Sequence, residues 1–526
     1  MAPLIEALRA PACYPHPVEG VEIVETHISW VLLAGSYAYK VKKPVRLPFL
    51  DFTTLAARRR YCEEELRLNR RTAPDLYLDV QTIAQTERGP VIGAPGEALE
   101  YAVRMRRFAP GCLADEMARA RTLGAAQIDQ LARVLAHFHA AAPRAAAGPY
   151  GAAEDIEVQA TANFDQIAAL AAAPAAISTA AARLARLRAW TTAECLRLRP
   201  VFAARRVEGF VRECHGDLHL GNIAFINGHA VPFDCIEFDP LLRWIDVMSE
   251  VAFVVMDLFA HRLPALAWRL LNAWLEESGD YEGIAVLRFY LVYRAMVRAK
   301  IALLRGSQDA FGAHLDLAES LAHSVRRALV LMHGLSGSGK TVVSQAALEL
   351  LGAVRVRSDA ERKRLHGLAS LARTDAGLRA GIYDAKANAR TYERLAHLAR
   401  GILEAGYPAI VDAAFLRREE RGRFKRGVQN PGGIFLILAC AAPEETLLER
   451  LAHREARGSD ASDAGLAVLE YQLATRQPLA PDEIESAVAV DTGSDAATRE
   501  ALERMAVQFA AGCEIRGEIA VESVDR

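Results

Sequence analysis

ALVLMHGLSGSGKTVVSQAALELL, residues 328–351, is the stretch that decides how the C-terminal part of the chain folds. An apolar run ends at His333, a glycine-rich turn follows, and a helical pattern opens at Thr341. Gly334, Gly339, Lys340 and Thr341 occupy every fixed position of the pattern GxxxxGK[ST]. Strand, loop and helix in that order suit one chemistry. Glycines let the backbone amides of Gly334, Ser336, Gly337, Ser338 and Gly339 curl around a phosphate, and the helix N-terminus adds partial positive charge. Lys340 is expected to reach the β- and γ-phosphates of ATP, and the Thr341 hydroxyl to hold Mg²⁺.

Downstream, the apolar runs AVRVRS, YPAIVD, IFLILAC and AVAVDT alternate with helical patterns. Such alternation predicts an α/β domain with a parallel sheet covered on both faces. Asp359 follows the second of these strands and so faces the ligand side of such a sheet. It is expected to accept the proton of an attacking hydroxyl. Arg362, about one turn later, is placed to hold an anionic acceptor. Asp412 ends the third strand and is a candidate to order Mg²⁺ or its waters. Arg450, Arg454 and Arg457 share one helix face before a Gly/Ser/Asp loop. This reads as a lid bringing positive charge to phosphates.

Upstream, residues 22–110 read as strands and a helix, and about 113–327 as mostly helical. One island interrupts the helical zone: VRECHGDLHLGNIAFINGHAVPFDCIEFD at 211–239. IAFI and HAVPF are apolar strands joined by Asn227-Gly228, a strong hairpin turn. The hairpin carries Asn222 and Asp234 to its open end, with Asp217 just before. This is the layout of a kinase catalytic loop followed by a metal loop. Asp217 would orient the acceptor hydroxyl, and Asn222 and Asp234 would hold Mg²⁺. His215 reads as a support. In YAYKVKKPV, either Lys40 or Lys42 is expected on the α/β-phosphates, Lys40 being preferred. A helix is expected from about Thr53 to Arg71, capped by Asp51. At about 100° per residue, Glu65 falls nearest its inner face, and is the expected lysine partner.

These residues resemble two families. HGDLHLGN, FDCIEFDP and YAYKVKKP are similar to the aminoglycoside phosphotransferase-like kinases, in the branch fused to a C-terminal P-loop kinase. GLSGSGKT, RSDAER, IVDAAF, the lid arginines and the stretch from Ser462-Asp463-Ala464 to Gln472 resemble the polynucleotide kinase, zeta toxin and gluconate kinase group. The resemblance implies an α+β two-lobed protein-kinase-like domain followed by an α/β P-loop domain. The expected boundaries are 1–326, with a small lobe to about 110 and a helical large lobe over 111–326, and then 327–526. In the second family the Asp matching Asp359 is the base, and a lid arginine contacts ATP phosphates. The sequence departs from the first family in two places. Only Ala34-Gly35-Ser36 stands for a glycine loop, and the metal loop reads Phe233-Asp234-Cys235.

Composition bounds the rest. A chain of 526 residues exceeds what one core supports, ~250–300 residues. A net charge of −2 gives no global field for nucleic acid or anionic membrane. The eight cysteines form no CxxC pair and read as reduced. No apolar stretch approaches the ~20 residues of a membrane helix, and no signal peptide is read at the start. The expectation is a cytoplasmic ATP-dependent kinase, with Mg²⁺ and two ATP sites acting on hydroxyls of small-molecule acceptors. Two alternatives stand beside it. One half is an ATP-binding regulatory module, or the C-terminal half is a polynucleotide 5′-hydroxyl kinase. Acceptor identity and oligomeric state are not written in the sequence.

Overall fold

A computed structural model describes all residues except 48–49, 146–148, 171–179, 324, 370–381, 383, 430–432, 458–465 and 516–526. At 2, 428–429, 454–457 and 514–515 it describes the backbone only. The chain divides into two compact bodies: Met1–Asp155 with Phe202–Asp257, and Ile156–Val201 with Leu258–Arg526. By compactness, then, the helices Pro264–Ser278, Ile284–Leu304 and Gln308–His323 group with the C-terminal sheet rather than with the residues before them.

In the first body come β1 (Val21–Glu25), β2 (Ser29–Ala34), β3 (Tyr37–Lys42), the short pair β4 (Arg46–Leu47) and β5 (Leu50–Asp51), then β6 (Tyr77–Thr86), β7 (Gly89–Ile92) and β8 (Ala98–Arg106). The main sheet is antiparallel in the order β1-β2-β3-β8-β6-β7. Alternation along β3 sorts its side chains. Tyr39 and Val41 join an apolar cluster with Leu32, Ile83, Ala102 and the N-terminal Ile5 and Leu8. Lys40 and Lys42 therefore share the other face. Further along are β9 (Val211–Glu213), the hairpin β10 (Ile223–Ile226) and β11 (His229–Pro232), and β12 (Trp244–Asp246), which pairs with β9. The hairpin turn has φ 51° at Asn227 and 78° at Gly228, as a two-residue turn with left-handed residues requires.

Two local expectations are corrected here. The helix spans Leu55–Asn69, and its cap is Thr54, whose side chain accepts from Ala57 N. Asp51 belongs to β5 and instead accepts from the amide and hydroxyl of Thr53, closing a side-chain turn. Gly35-Ser36 joins β2 to β3, at the end of the sheet away from Lys42. The turn at the Lys42 end is Thr26-His27-Ile28, with no glycine, and Lys43 Nζ binds Glu25 Oε1 beside it at 2.6 Å.

The second body holds β13 (Ala328–His333), β14 (Val354–Arg357), β15 (Ala409–Asp412), β16 (Ile434–Ala441) and β17 (Ala487–Asp491). All pairs are parallel, in the order β14-β15-β13-β16-β17. The expected strands are all present. The outer edge of β14 is covered by the Pro264–Ser278 helix. Asn272 donates Nδ2 to Ala353 O and accepts from Arg355 N, at 2.8 and 2.6 Å. One side chain thus stands in for a neighbouring strand and blunts an edge. Trp268 packs edge-on against Tyr407 beside it. Ser462, Asp463 and Ala464 lie outside the described residues.

Candidate functional site

Residues 334–339 form a cradle that only glycine permits at its tightest points. Gly334 has φ 148°, and a Cβ there would lie 2.4 Å from Cys440 O. At Gly337, with φ 82°, it would lie 2.9 Å from Leu447 O. The Lys340–Leu351 helix starts directly at the loop. Lys340 Nζ donates back to the carbonyls of Gly334 and Leu335 at 3.0 and 2.8 Å, which centres its charge over the loop. Ser338 Oγ is buried without a partner among the described residues. Ser336 N donates to Gln472 Oε1 at 2.7 Å, so Gln472 reaches the loop from the Leu466–Thr475 helix. Three of the expected amides are engaged within the protein, Gly334 N with Ala414 O, Ser336 N with Gln472 Oε1 and Ser338 N with Leu335 O; the helix N-terminus, the lysine and the orphaned hydroxyl of this hollow still fit a phosphate group.

Around the cradle lies a cavity of about 1170 Å³. Ser336, Gly337, Gly339, Lys340, Thr341, Asp359, Arg362, Asp412 and Arg450 all line it. These nine of the expected residues therefore line one cavity. Asp359 sits in the first turn of the Ser358–Leu365 helix and is not its cap, which is Arg357. Arg362 is buried and donates to Ile382 O and Asn388 Oδ1 at 3.2 and 3.0 Å. Asp412 is buried and accepts from Ser344 Oγ at 3.1 Å. With the Thr341 hydroxyl it offers the hard oxygen donors that suit Mg²⁺. Arg450 braces Gly337 O at 3.3 Å and Thr492 O at 2.6 Å, so it holds the rim of the loop. The side chains of Arg454 and Arg457 lie outside the described residues.

The second cluster belongs to the first body. Lys40 Nζ binds Glu65 Oε1 at 2.8 Å, and Lys42 Nζ binds Glu65 Oε2 at 2.7 Å. Sequence reasoning chose between the lysines, yet one buried carboxylate takes both, because residues two apart on a strand face the same way. Lys40 also pairs with Asp234, and Lys42 with Glu237. Burial works against the Lys40 charge, but Asp234 and Glu65 outweigh it and hold the ammonium well above its ordinary range. Burial likewise pushes Asp234 up, and the Lys40 charge overrides it, holding the carboxyl below its usual range. Asp234 has φ 65°, an uncommon conformation for a residue with a side chain and one that gathers at functional sites.

Asn222 Nδ2 donates to Asp217 O and Oδ2 at 2.9 and 3.3 Å. Phe233 N donates to Asn222 O at 2.9 Å, which ties Asn222 to the residue before Asp234. His215 Nε2 lies 2.7 Å from Phe233 O, and burial holds this imidazole below its ordinary range. His215 is thus the support that the sequence suggested. Asn222 and Asp234 bring an amide oxygen and a carboxylate to this end of the hairpin, a donor set that suits Mg²⁺.

Several residues escaped the sequence. Glu250 accepts from the amides of His215 and Gly216, both at 2.7 Å, and sits 3.0 Å from His139 Nε2. Asp257 accepts from Leu220 N at 2.9 Å. Both acids therefore pin the loop that carries Asp217. A signal was present: they stand seven residues apart, on one face of a helix otherwise nearly all apolar. Asn69 and Tyr77 anchor Cys235 N and Asp234 N, at 2.9 and 3.2 Å.

The cradle, in its strand–loop–helix setting on a parallel sheet, defines the second body as carrying a P-loop domain. Residues 329–479 match a family model described as AAA domain. The chain is 29% identical over 476 residues, 88% of this chain and 92% of theirs, to uncharacterised proteins of Mycobacterium tuberculosis and Mycobacterium bovis. Among solved structures, it is similar to a choline/ethanolamine kinase family protein from Mesorhizobium loti, 13% identical, over 60% of this chain and 94% of that one, with a TM-score of 0.36. It is also similar to a gluconokinase from Sinorhizobium meliloti, 22% identical, over 36% of this chain and 97% of that one, with a TM-score of 0.24.

Proposed function

We propose that the second body is an ATP-dependent phosphotransferase acting on a hydroxyl of a small-molecule acceptor. The convergence of Lys340, Thr341, Asp359, Arg362 and Asp412 on one cavity carries this reading. The loop amides and Lys340 bind the β- and γ-phosphates of ATP. Asp359 takes the proton of the acceptor hydroxyl as its oxygen bonds to the γ-phosphorus, and the bond to the bridging oxygen of ADP breaks. Arg362 orients the acceptor. Mg²⁺, held through Thr341 and Asp412, would supply charge neutralisation at the phosphate oxygens.

The first body is read as a second ATP site of the same class. Asp217 would orient a hydroxyl, Asn222 and Asp234 would hold Mg²⁺, and Lys40, set by Glu65, would meet the α/β-phosphates. One observation favours a quieter role for this half. The turn beside its lysines, Thr26-His27-Ile28, lacks the glycines that let backbone amides close over phosphates. An ATP-binding module that regulates its partner is therefore the second reading. Eight cysteines without a disulfide fit a reducing, cytoplasmic setting. Among the described residues no helix is long and apolar enough to cross a membrane.

The test is ATP turnover by the full chain against sugars, nucleosides, amino alcohols and a 5′-hydroxyl oligonucleotide, with Lys340→Ala and Asp217→Ala measured separately. Each substitution should cut transfer at its own site by about 10²–10⁴-fold. Unchanged turnover in Lys340→Ala removes the assignment of the second body. A loss in Asp217→Ala of turnover that also requires Lys340, with ATP binding kept at both sites, would favour regulation. Transfer confined to the oligonucleotide would replace the small-molecule reading.

A further inference from the structure

Glu276 lies on the Pro264–Ser278 helix, upstream of the P-loop and of the expected boundary at 326. Its two carboxylate oxygens bind two arginines of β14. Oε1 meets Arg357 Nη1 at 2.7 Å, and Oε2 meets Arg355 Nη2 at 3.4 Å. Both arginines lead to the metal end of the cradle. Arg357 Nε is 3.8 Å from Asp412 Oδ2. Arg355 donates Nη1 to Thr341 O at 3.3 Å and to Ser344 Oγ at 3.2 Å, and Ser344 in turn holds Asp412. Glu276, Arg357, Asp412 and Arg355 thus form a ring that the Ser344 hydroxyl closes between Arg355 and Asp412. The side chains of Arg355, Arg357 and Asp412 are 8%, 12% and 5% exposed, so water screens the ring poorly.

Geometry gives each member a task. Asp412 can serve a cation only if the guanidinium of Arg357 does not take its oxygens. Glu276 draws the far end of that guanidinium away and balances the second positive charge from Arg355. Without Glu276, the carboxylate that holds Arg357 Nη1 at 2.7 Å is gone, and Arg357 can move from 3.8 Å into a direct pair with Asp412. We infer that Glu276 is a positioning residue that keeps Asp412 available to the nucleotide's magnesium, so that the helix before the P-loop domain is a working part of its site. The inference rests on the P-loop reading above.

The measurement is binding of mant-ATP to the full chain as MgCl₂ is titrated, alongside thermal melts of each variant without ligand. In Glu276→Gln, the Mg²⁺ concentration for half-maximal binding should rise about tenfold, as for partners that orient a metal ligand. Glu276→Gln combined with Arg357→Gln should return most of that shift, because the competing guanidinium is gone; a purely structural role would not be rescued by a second deletion. Arg357→Gln alone should lower the Mg²⁺ requirement, and this variant decides the matter if Glu276→Gln does not fold. A titration of Glu276→Gln that overlays the wild type, or a raised requirement in Arg357→Gln, overturns the inference. The two levels separate cleanly. If the wild type shows no Mg²⁺-dependent binding that Lys340→Ala removes, the P-loop reading itself fails.

Discussion

Glu65 shows how much one side chain can organise. Its two oxygens hold two buried ammonium groups, and through Lys40 and Lys42 they reach Asp234 and Glu237. Lys40, Lys42, Glu65 and Glu237 are thereby packed where water cannot compensate a missing member, while Asp234 stands at the open side, 42% exposed. Glu65→Gln should destabilise the chain by about 3–5 kcal/mol, since it leaves uncompensated buried charge. Urea denaturation checks this, and a loss below about 1 kcal/mol would mean that the network is looser than its distances imply. That Glu65 is the lysine partner was legible from helical periodicity alone. That it serves both lysines was not, because the second carboxylate of each pair arrives from residues 234–237, far along the chain.

Among elements, the Pro264–Ser278 helix and β14 make the instructive pair. Asn272 satisfies a carbonyl and an amide that the sheet edge would otherwise leave bare. An unsatisfied buried group costs about 1–3 kcal/mol. Asn272→Ala should therefore lower stability by about 2–5 kcal/mol for the two groups together. Thermal melting checks it, and an unchanged melting temperature would mean that water takes over both bonds. The strands of the parallel sheet were readable from their short apolar runs between helical patterns, and the hairpin from Asn227-Gly228. The cap of the Leu55–Asn69 helix was misread because both Asp51 and Thr54 are good capping residues. Only the short β4–β5 pair, which takes Asp51 into a strand, separates them.

At the scale of the molecule, the expected cut at 326 and the compact bodies give different guidance for dissection. Trp268, Asn272 and Glu276 all pack on the C-terminal sheet from before residue 326. A fragment beginning at Arg262 keeps them; a fragment of residues 327–526 loses them. Losing the Asn272 bonds and the Trp268 packing should cost roughly 3–5 kcal/mol. The shorter fragment should then melt roughly 10 °C lower than the longer one. Equal melting temperatures would show that residues 327–526 form a self-sufficient domain, as the sequence suggested.

By itself the sequence determined the chemistry-bearing loops, because their signals are local. A phosphate cradle needs glycines, a lysine and a hydroxyl within eight residues, and the Asp217–Asp234 layout is held by one hairpin. The tertiary structure alone decided what stands behind them. Glu250 and Asp257 pin one loop, and Glu276 and Asn272 brace β14 beside the other. Such partners meet through packing between distant segments, and a buried charge carries no mark in the sequence of the residue that will neutralise it.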